Sequence, residues 1–74
     1  MVTVYRGASW KLSVYGREHG IPHFHIEGPD YRCSIGIEAM TVIIGGAPKR
    51  ILDEALVWAR ANRHELMKAW RELN

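Results

Sequence analysis

The sequence lacks the features that mark secreted or membrane-spanning chains. Cys33 is its one cysteine, so no intramolecular disulfide can form. No apolar stretch approaches the ~20 residues that a membrane-spanning helix needs. The N-terminus has neither the charged start nor the apolar run of a signal peptide. We therefore expect a cytoplasmic protein.

A strong charge of either sign is also missing. Ten Lys and Arg residues face eight Asp and Glu residues, which gives a formal net charge of +2 without a run of like charge. Bulk electrostatics therefore do not indicate a nucleic-acid binder, although a local basic face stays open.

The length of 74 residues predicts one domain, residues 1–74. A chain of this size buries only roughly 60% of the surface that its unfolded form exposes. The hydrophobic fraction of 47% is ordinary for a globular protein, so disorder is not expected. Little chain is left for a deep active site, and any site should be a surface groove or a sheet face.

In the first part of the chain, short segments in which apolar and polar residues alternate lie between turn residues. They predict β-strands at 2–5, 10–15, 23–27, 32–38 and 41–44. Gly28-Pro29-Asp30-Tyr31 fits a tight turn, so the third and fourth strands should form a hairpin. If Gly28 pairs with Tyr31, three pairs share a polar face: Glu27 with Arg32, His25 with Ser34, and His23 with Gly36.

The last part of the chain has helical periodicity after Pro48. Seven positions step by three or four residues without a slip: Ile51, Ala55, Trp58, Asn62, Leu66, Ala69 and Leu73. We therefore favour one continuous helix of ~37 Å, which would overhang a sheet with strands of ~20 Å. Trp70 would then need cover from another subunit, as in a homodimer through this helix, or from a partner protein. The alternative is a break at Asn62, where Asn62-Arg63-His64-Glu65 resembles a capping box.

The fold class that follows is α+β: a small, mostly antiparallel sheet of about four to five strands and a long C-terminal helix, with a break near Asn62 as the alternative.

Three of the four histidines fall within residues 19–25. His23 and His25 lie two apart on a predicted strand, so their Cα atoms are ~6.6 Å apart and their side chains share a face. His19, on the preceding loop, could fold back towards them. Three charged residues complete the candidate site: Arg17 and Arg32 as cations, and Glu38 as a diagonal cross-strand neighbour of His23.

Three interpretations of this cluster remain open from the residues alone. His19, His23 and His25 could bind a divalent transition metal such as zinc, with Glu38 or water as a fourth ligand. The imidazoles could instead act as acid and base on RNA, one taking a proton from a ribose 2′-hydroxyl and another protonating the leaving oxygen, while an arginine offsets the phosphate charge. They could also have no chemical role and merely stabilise the hairpin or bind a partner.

The segment Arg17-Glu18-His19-Gly20-Ile21-Pro22-His23-Phe24-His25 resembles the signature Arg-Asp-His-x-Pro-Pro-His-Phe-His. That signature is typical of the small prokaryotic proteins grouped as domain of unknown function 4160. Glu18 replaces the usual Asp, and Ile21 replaces the first proline. Downstream, Pro48, Trp58 and a Glu-Leu-x-x-x-Trp segment ending at Trp70 also resemble that family.

The resemblance implies a partner and a role. Members of that family often appear beside a second small gene, in an arrangement similar to toxin-antitoxin pairs. The resemblance therefore implies a small operon-encoded partner protein and a toxin-like function. The alternatives are a non-enzymatic partner-binding module and a small metal-binding protein that uses the same histidines.

Overall fold

Five strands form one antiparallel sheet in which spatial order follows chain order. The computed structural model describes residues 1–17 and 19–74. The strands are β1 (Val2–Arg6), β2 (Lys11–Val14), β3 (His23–Glu27), β4 (Arg32–Gly36) and β5 (Val42–Gly46). Two helices follow, α1 (Lys49–Ala61) and α2 (Arg63–Leu73). The predicted α+β class is therefore confirmed.

The β3–β4 hairpin has the predicted register. His23 lies opposite Gly36, His25 opposite Ser34, and Glu27 opposite Arg32. The Gly28 N–H donates to the Tyr31 carbonyl at 3.0 Å and closes the turn. A tight turn fixes which residues can pair, and that is why the turn and the alternation sufficed to predict this register.

The favoured continuous helix is wrong, and the break at Asn62 is confirmed. The Asn62 side chain does not cap α2, so the resemblance to a capping box misassigned its role. Its Nδ2 donates to the Trp58 carbonyl at 2.9 Å, and its backbone N–H donates to the Trp58 and Ala59 carbonyls at 3.0 and 3.1 Å. Asn62 therefore satisfies the carbonyls that the end of α1 leaves unpaired.

The predicted overhang is wrong as well. The longest dimension of the fold is 29 Å, shorter than the ~37 Å that a straight 25-residue helix would require. Trp70 is only 8% exposed, because the break lets α2 pack it against its own domain. A homodimer through this helix stays a prediction, but an uncovered indole no longer supports it.

One face of the sheet packs on the helices. Alternate residues of β2, β3 and β4 are fully buried there, and small residues of α1 let the helix approach closely. The core comprises Leu12, Val14, Phe24, Ile26, Ile35, Ile37, Ala55, Ala59 and Leu66, all 0% exposed, together with less completely buried neighbours. Within the described residues, no helix is long and apolar enough to cross a membrane.

Candidate functional site

The side chains that alternate with the core residues form the opposite face of the sheet, and a groove of about 320 Å³ opens on it. We call it the histidine groove. Three imidazoles line it, together with small and apolar residues: His19, Gly20, Ile21, His23, His25, Ser34, Ile43 and Ile44. The three histidines that the sequence grouped by spacing therefore do share one surface.

His23 is the first residue of β3, and two contacts hold its ring. Its Nδ1 lies 2.8 Å from the Ile21 carbonyl oxygen. A carbonyl can only accept, so Nδ1 carries the proton in this bond and Nε2 holds the lone pair of the neutral ring. The ring also packs on Trp70, with centroids 4.9 Å apart. The Ile37 N–H donates to the Pro22 carbonyl at 3.0 Å and anchors the loop that supplies the Ile21 carbonyl.

His25 lies next to His23 and deeper in the sheet face. The two rings meet edge to face with centroids 5.2 Å apart. The Tyr15 ring also packs edge to face with the His25 ring, with centroids 4.8 Å apart. His25 Nδ1 lies 3.2 Å from the Ser34 hydroxyl oxygen, its cross-strand partner. These contacts leave His25 only 7% exposed, so its ring is held in one orientation at the floor of the groove.

Tyr15 connects the histidines to a charged pair. Its hydroxyl donates to both Glu27 carboxylate oxygens at 2.9 and 3.0 Å. Arg32 Nε lies 3.4 Å from Glu27 Oε2, and its guanidinium lies 5.4 Å from the centre of the Tyr15 ring. Arg32 therefore pairs with Glu27 and Tyr15, and it lines an adjoining depression together with His25 and Ser34.

Three of the predicted site residues do not line the groove: Arg32, which lines the adjoining depression, Arg17 and Glu38. Arg17 is exposed on the loop after β2, with φ at 58°, and is not among the described lining residues. Glu38 was predicted at the end of a strand, but β4 ends at Gly36 and residues 37–39 form a turn. Its side chain is exposed and lines a separate depression with Ile21, Pro22 and Ala39. Glu18, which belongs to the motif, lies outside the described residues.

The arrangement does not assemble the predicted metal-ligand set. Across residues 1–17 and 19–74, no group of three or more His, Cys, Asp or Glu side chains is placed to hold one metal ion. His23 Nδ1 is occupied by a backbone carbonyl, and Glu38 points into another depression. The sequence put the right histidines on one surface, but spacing alone does not set how their nitrogens are aimed.

Sequence reasoning did not identify Tyr15, Ile43 and Ile44 as site residues. Tyr15 directly follows β2, and continued alternation puts it on the polar face. Its contacts with His25 and Glu27 depend on the β2–β3 register, which a long loop leaves undetermined in the sequence. For Ile43 and Ile44 the sequence predicts only a short strand, with no signal of a role in the site. Their exposures of 45% and 71% follow from the position of β5 at the sheet edge.

No curated protein and no solved structure gives a match to the chain. A family model described as Domain of unknown function (DUF4160) matches residues 10–71. The match includes β2 to β5, nearly all of both helices and every residue of the histidine groove. The family resemblance noted in the sequence is confirmed, and the chain belongs to the DUF4160 family.

Proposed function

We propose that this protein is the toxin-like component of a prokaryotic toxin-antitoxin pair and that it cleaves RNA with His23 and His25. The observation that supports the proposal is the pair of imidazoles in the groove, with ring centroids 5.2 Å apart. Two imidazoles in one groove can supply a base and an acid to the same phosphodiester.

The geometry favours His23 as the base. Its Nδ1 proton is committed to the Ile21 carbonyl, and Nε2 is therefore the nitrogen that accepts a proton. In the proposed step Nε2 takes the ribose 2′-hydroxyl proton, and the 2′-oxygen bonds to phosphorus. The bond from phosphorus to the 5′-oxygen breaks, and that oxygen takes a proton from protonated His25. The products are a 2′,3′-cyclic phosphate and a 5′-hydroxyl.

The test is cleavage of end-labelled single-stranded RNA by the purified protein. His23→Ala and His25→Ala should each lower the rate about 10²-fold or more, the usual contribution of a positioned acid or base. His64→Ala is the matched control, because His64 is exposed on α2, away from the groove. Cleavage should persist with a chelator present, and RNA with 2′-deoxyribose should stay intact.

The toxin-like role is tested in cells. Induced expression without a partner should arrest bacterial growth, and the double variant His23→Ala/His25→Ala should not. If expression is harmless and the purified protein leaves RNA intact with and without divalent metals, the proposal is wrong. Cleavage that needs a metal would favour the metal-dependent alternative, and elemental analysis of the untagged protein would then identify the ion.

A second candidate function is a non-enzymatic module that binds a small partner protein through β5. This strand lies at the edge of the sheet, and all of its residues are exposed. Val42, Ile43 and Ile44 are 43%, 45% and 71% exposed, and the strand has neither charge nor proline, the usual protection of an edge. An apolar strand of a partner could extend the sheet here.

A pull-down of the protein encoded by the neighbouring gene separates the two functions. Ile44→Lys should abolish capture if β5 is the interface, because a charge would replace an exposed apolar contact. Val57→Lys is the matched control, since Val57 is similarly exposed at 69% but lies on α1. Loss of toxicity with retained capture in the double histidine variant supports chemistry, whereas loss of capture in that variant supports an interface.

A further inference from the structure

A row of charged residues crosses the sheet beside the histidine groove. In adjacent strands Arg6 pairs with Lys11, Lys11 with Glu27, and Glu27 with Arg32. Directly paired residues point to the same face, so the row has three cations and one carboxylate on the groove side. His25 lies two residues before Glu27, one row away at ~6.6 Å along β3.

The charges of this row are unevenly matched. The Glu27 carboxylate already has two partners: it accepts from the Tyr15 hydroxyl at 2.9 and 3.0 Å, and its Oε2 lies 3.4 Å from Arg32 Nε. Within residues 1–17 and 19–74, neither Arg6 nor Lys11 forms an ion pair, although Lys11 lies opposite Glu27 in the sheet. Like charges directly opposite each other on two strands are unfavourable. An anion between Arg6 and Lys11 would remove that repulsion.

A depression of about 330 Å³ lies at these two cations, between the β1–β2 and β3–β4 turns, and Glu27 is the one carboxylate in its described lining. Its walls are two closely packed turns. A Cβ at Gly7 would lie 2.0 Å from Trp10 Nε1, and one at Gly28 would lie 2.1 Å from the Tyr31 ring, so both turns pack tightly on aromatic rings. The Tyr31 hydroxyl donates to the Ser9 carbonyl at 3.2 Å and links the two turns. The depression therefore exists before any ligand binds.

We infer that Arg6 and Lys11 bind the phosphodiester backbone of single-stranded RNA at this depression, next to the nucleotides held in the histidine groove. The inference rests on the proposed function for the identity of the polyanion. A flexible single strand can follow one sheet face from His23 past His25 to the charged row, and lysine and arginine supply the sequence-independent part of such binding.

The test is binding of a short single-stranded RNA in which every 2′-hydroxyl is methylated, so that the proposed cleavage cannot occur. Fluorescence anisotropy gives Kd over a range of salt concentrations. Arg6→Gln/Lys11→Gln should weaken binding about tenfold at low salt, and it should lower the slope of log K against log salt by ~1.4, since each phosphate contact contributes ~0.7.

The control Arg50→Gln/Lys68→Gln removes the same charge from two exposed helical positions. It should leave the slope unchanged. Thermal unfolding of the Arg6→Gln/Lys11→Gln variant should occur at or above the wild-type temperature, because the substitution removes a like-charge pair. An altered affinity in that variant then reports binding and not loss of fold.

Each outcome decides between distinct conclusions. Equal slopes for the two double variants overturn the inference even if unmodified RNA is cleaved. A smaller slope for Arg6→Gln/Lys11→Gln supports it even if cleavage is never seen, in which case only the proposed chemistry fails. If poly-glutamate binds the depression as tightly as the methylated RNA does, the site is one for acidic protein surfaces and the RNA assignment is wrong.

Discussion

At the residue scale, one hydroxyl joins the groove to its charged neighbours. The Tyr15 hydroxyl donates to both oxygens of Glu27 at 2.9 and 3.0 Å, and the Glu27 side chain is only 18% exposed. Tyr15→Phe keeps the ring on His25 but removes this donor. We expect a loss of about 1–2 kcal/mol in the free energy of unfolding, typical of a hydrogen bond to a charged group.

Urea denaturation measures the loss, with Tyr31→Phe as the control. The Tyr31 hydroxyl donates to a neutral backbone carbonyl, that of Ser9, at 3.2 Å in an exposed setting, so its removal should cost about 0.5 kcal/mol. Equal losses for the two variants would contradict the special role given to Tyr15.

Ser13 is a residue that the fold buries at a cost. It is 0% exposed, and its hydroxyl has no hydrogen-bond partner within the described part of the chain. Ser13→Ala should therefore raise the free energy of unfolding by about 1 kcal/mol. Ser34→Ala is the comparison, because its hydroxyl contacts His25 Nδ1 at 3.2 Å, and it should lower stability. Destabilisation by Ser13→Ala would mean that its hydroxyl is satisfied in solution.

Cys33 gives the fold a pH dependence. Burial raises the pKa of this thiol, and a backbone hydrogen bond from Ile26 offsets part of the shift. The unfolded chain therefore loses its thiol proton first, and stability that is fully present below the unfolded pKa is lost as pH rises through the folded pKa. Urea titrations near pH 7 and pH 10 should show a larger fall for the wild type than for Cys33→Val, which cannot ionise.

At the element scale, the end of β5 depends on one glycine. Gly45 has φ at 78°, and a Cβ there would lie 2.3 Å from the Arg32 carbonyl oxygen. Gly45→Ala should therefore lower the free energy of unfolding by about 2 kcal/mol or more. Gly46→Ala is the matched control, since a Cβ at Gly46 meets nothing within 4 Å, and its effect should stay within about 0.5 kcal/mol. Equal effects would contradict this account.

Elements that are fixed by residues close together in the sequence could be predicted, whereas those that depend on distant parts of the fold could not. The β3–β4 register was predictable because a short turn and strict alternation leave one pairing that buries Phe24 and Ile26. The helix break was not, because Leu66 and Trp70 keep the same hydrophobic phase as Ile51 and Ala55 across Asn62. A local pattern also does not contain the size of the fold, whose longest dimension of 29 Å is shorter than the ~37 Å of a straight 25-residue helix.

At the scale of the whole molecule, the groove and the core share residues. Trp70 is 8% exposed and belongs to the core, yet its ring centroid lies 4.9 Å from that of His23. His25 lies between Phe24 and Ile26, both fully buried. A domain of 74 residues has little apolar surface to bury, so the side chains that position the imidazoles also stabilise the fold.

This sharing predicts that groove and core unfold together. In urea, the imidazole NMR signals of His23 and His25 should change with the same midpoint as far-UV circular dichroism. Trp70→Leu should lower the free energy of unfolding by about 1–3 kcal/mol, so both midpoints should fall to the same lower urea concentration. It should also shift the native NMR signal of His23 and leave that of the exposed His64 unchanged. A His23 transition at lower urea than the loss of helix would contradict the prediction, because the groove would then open separately from the core.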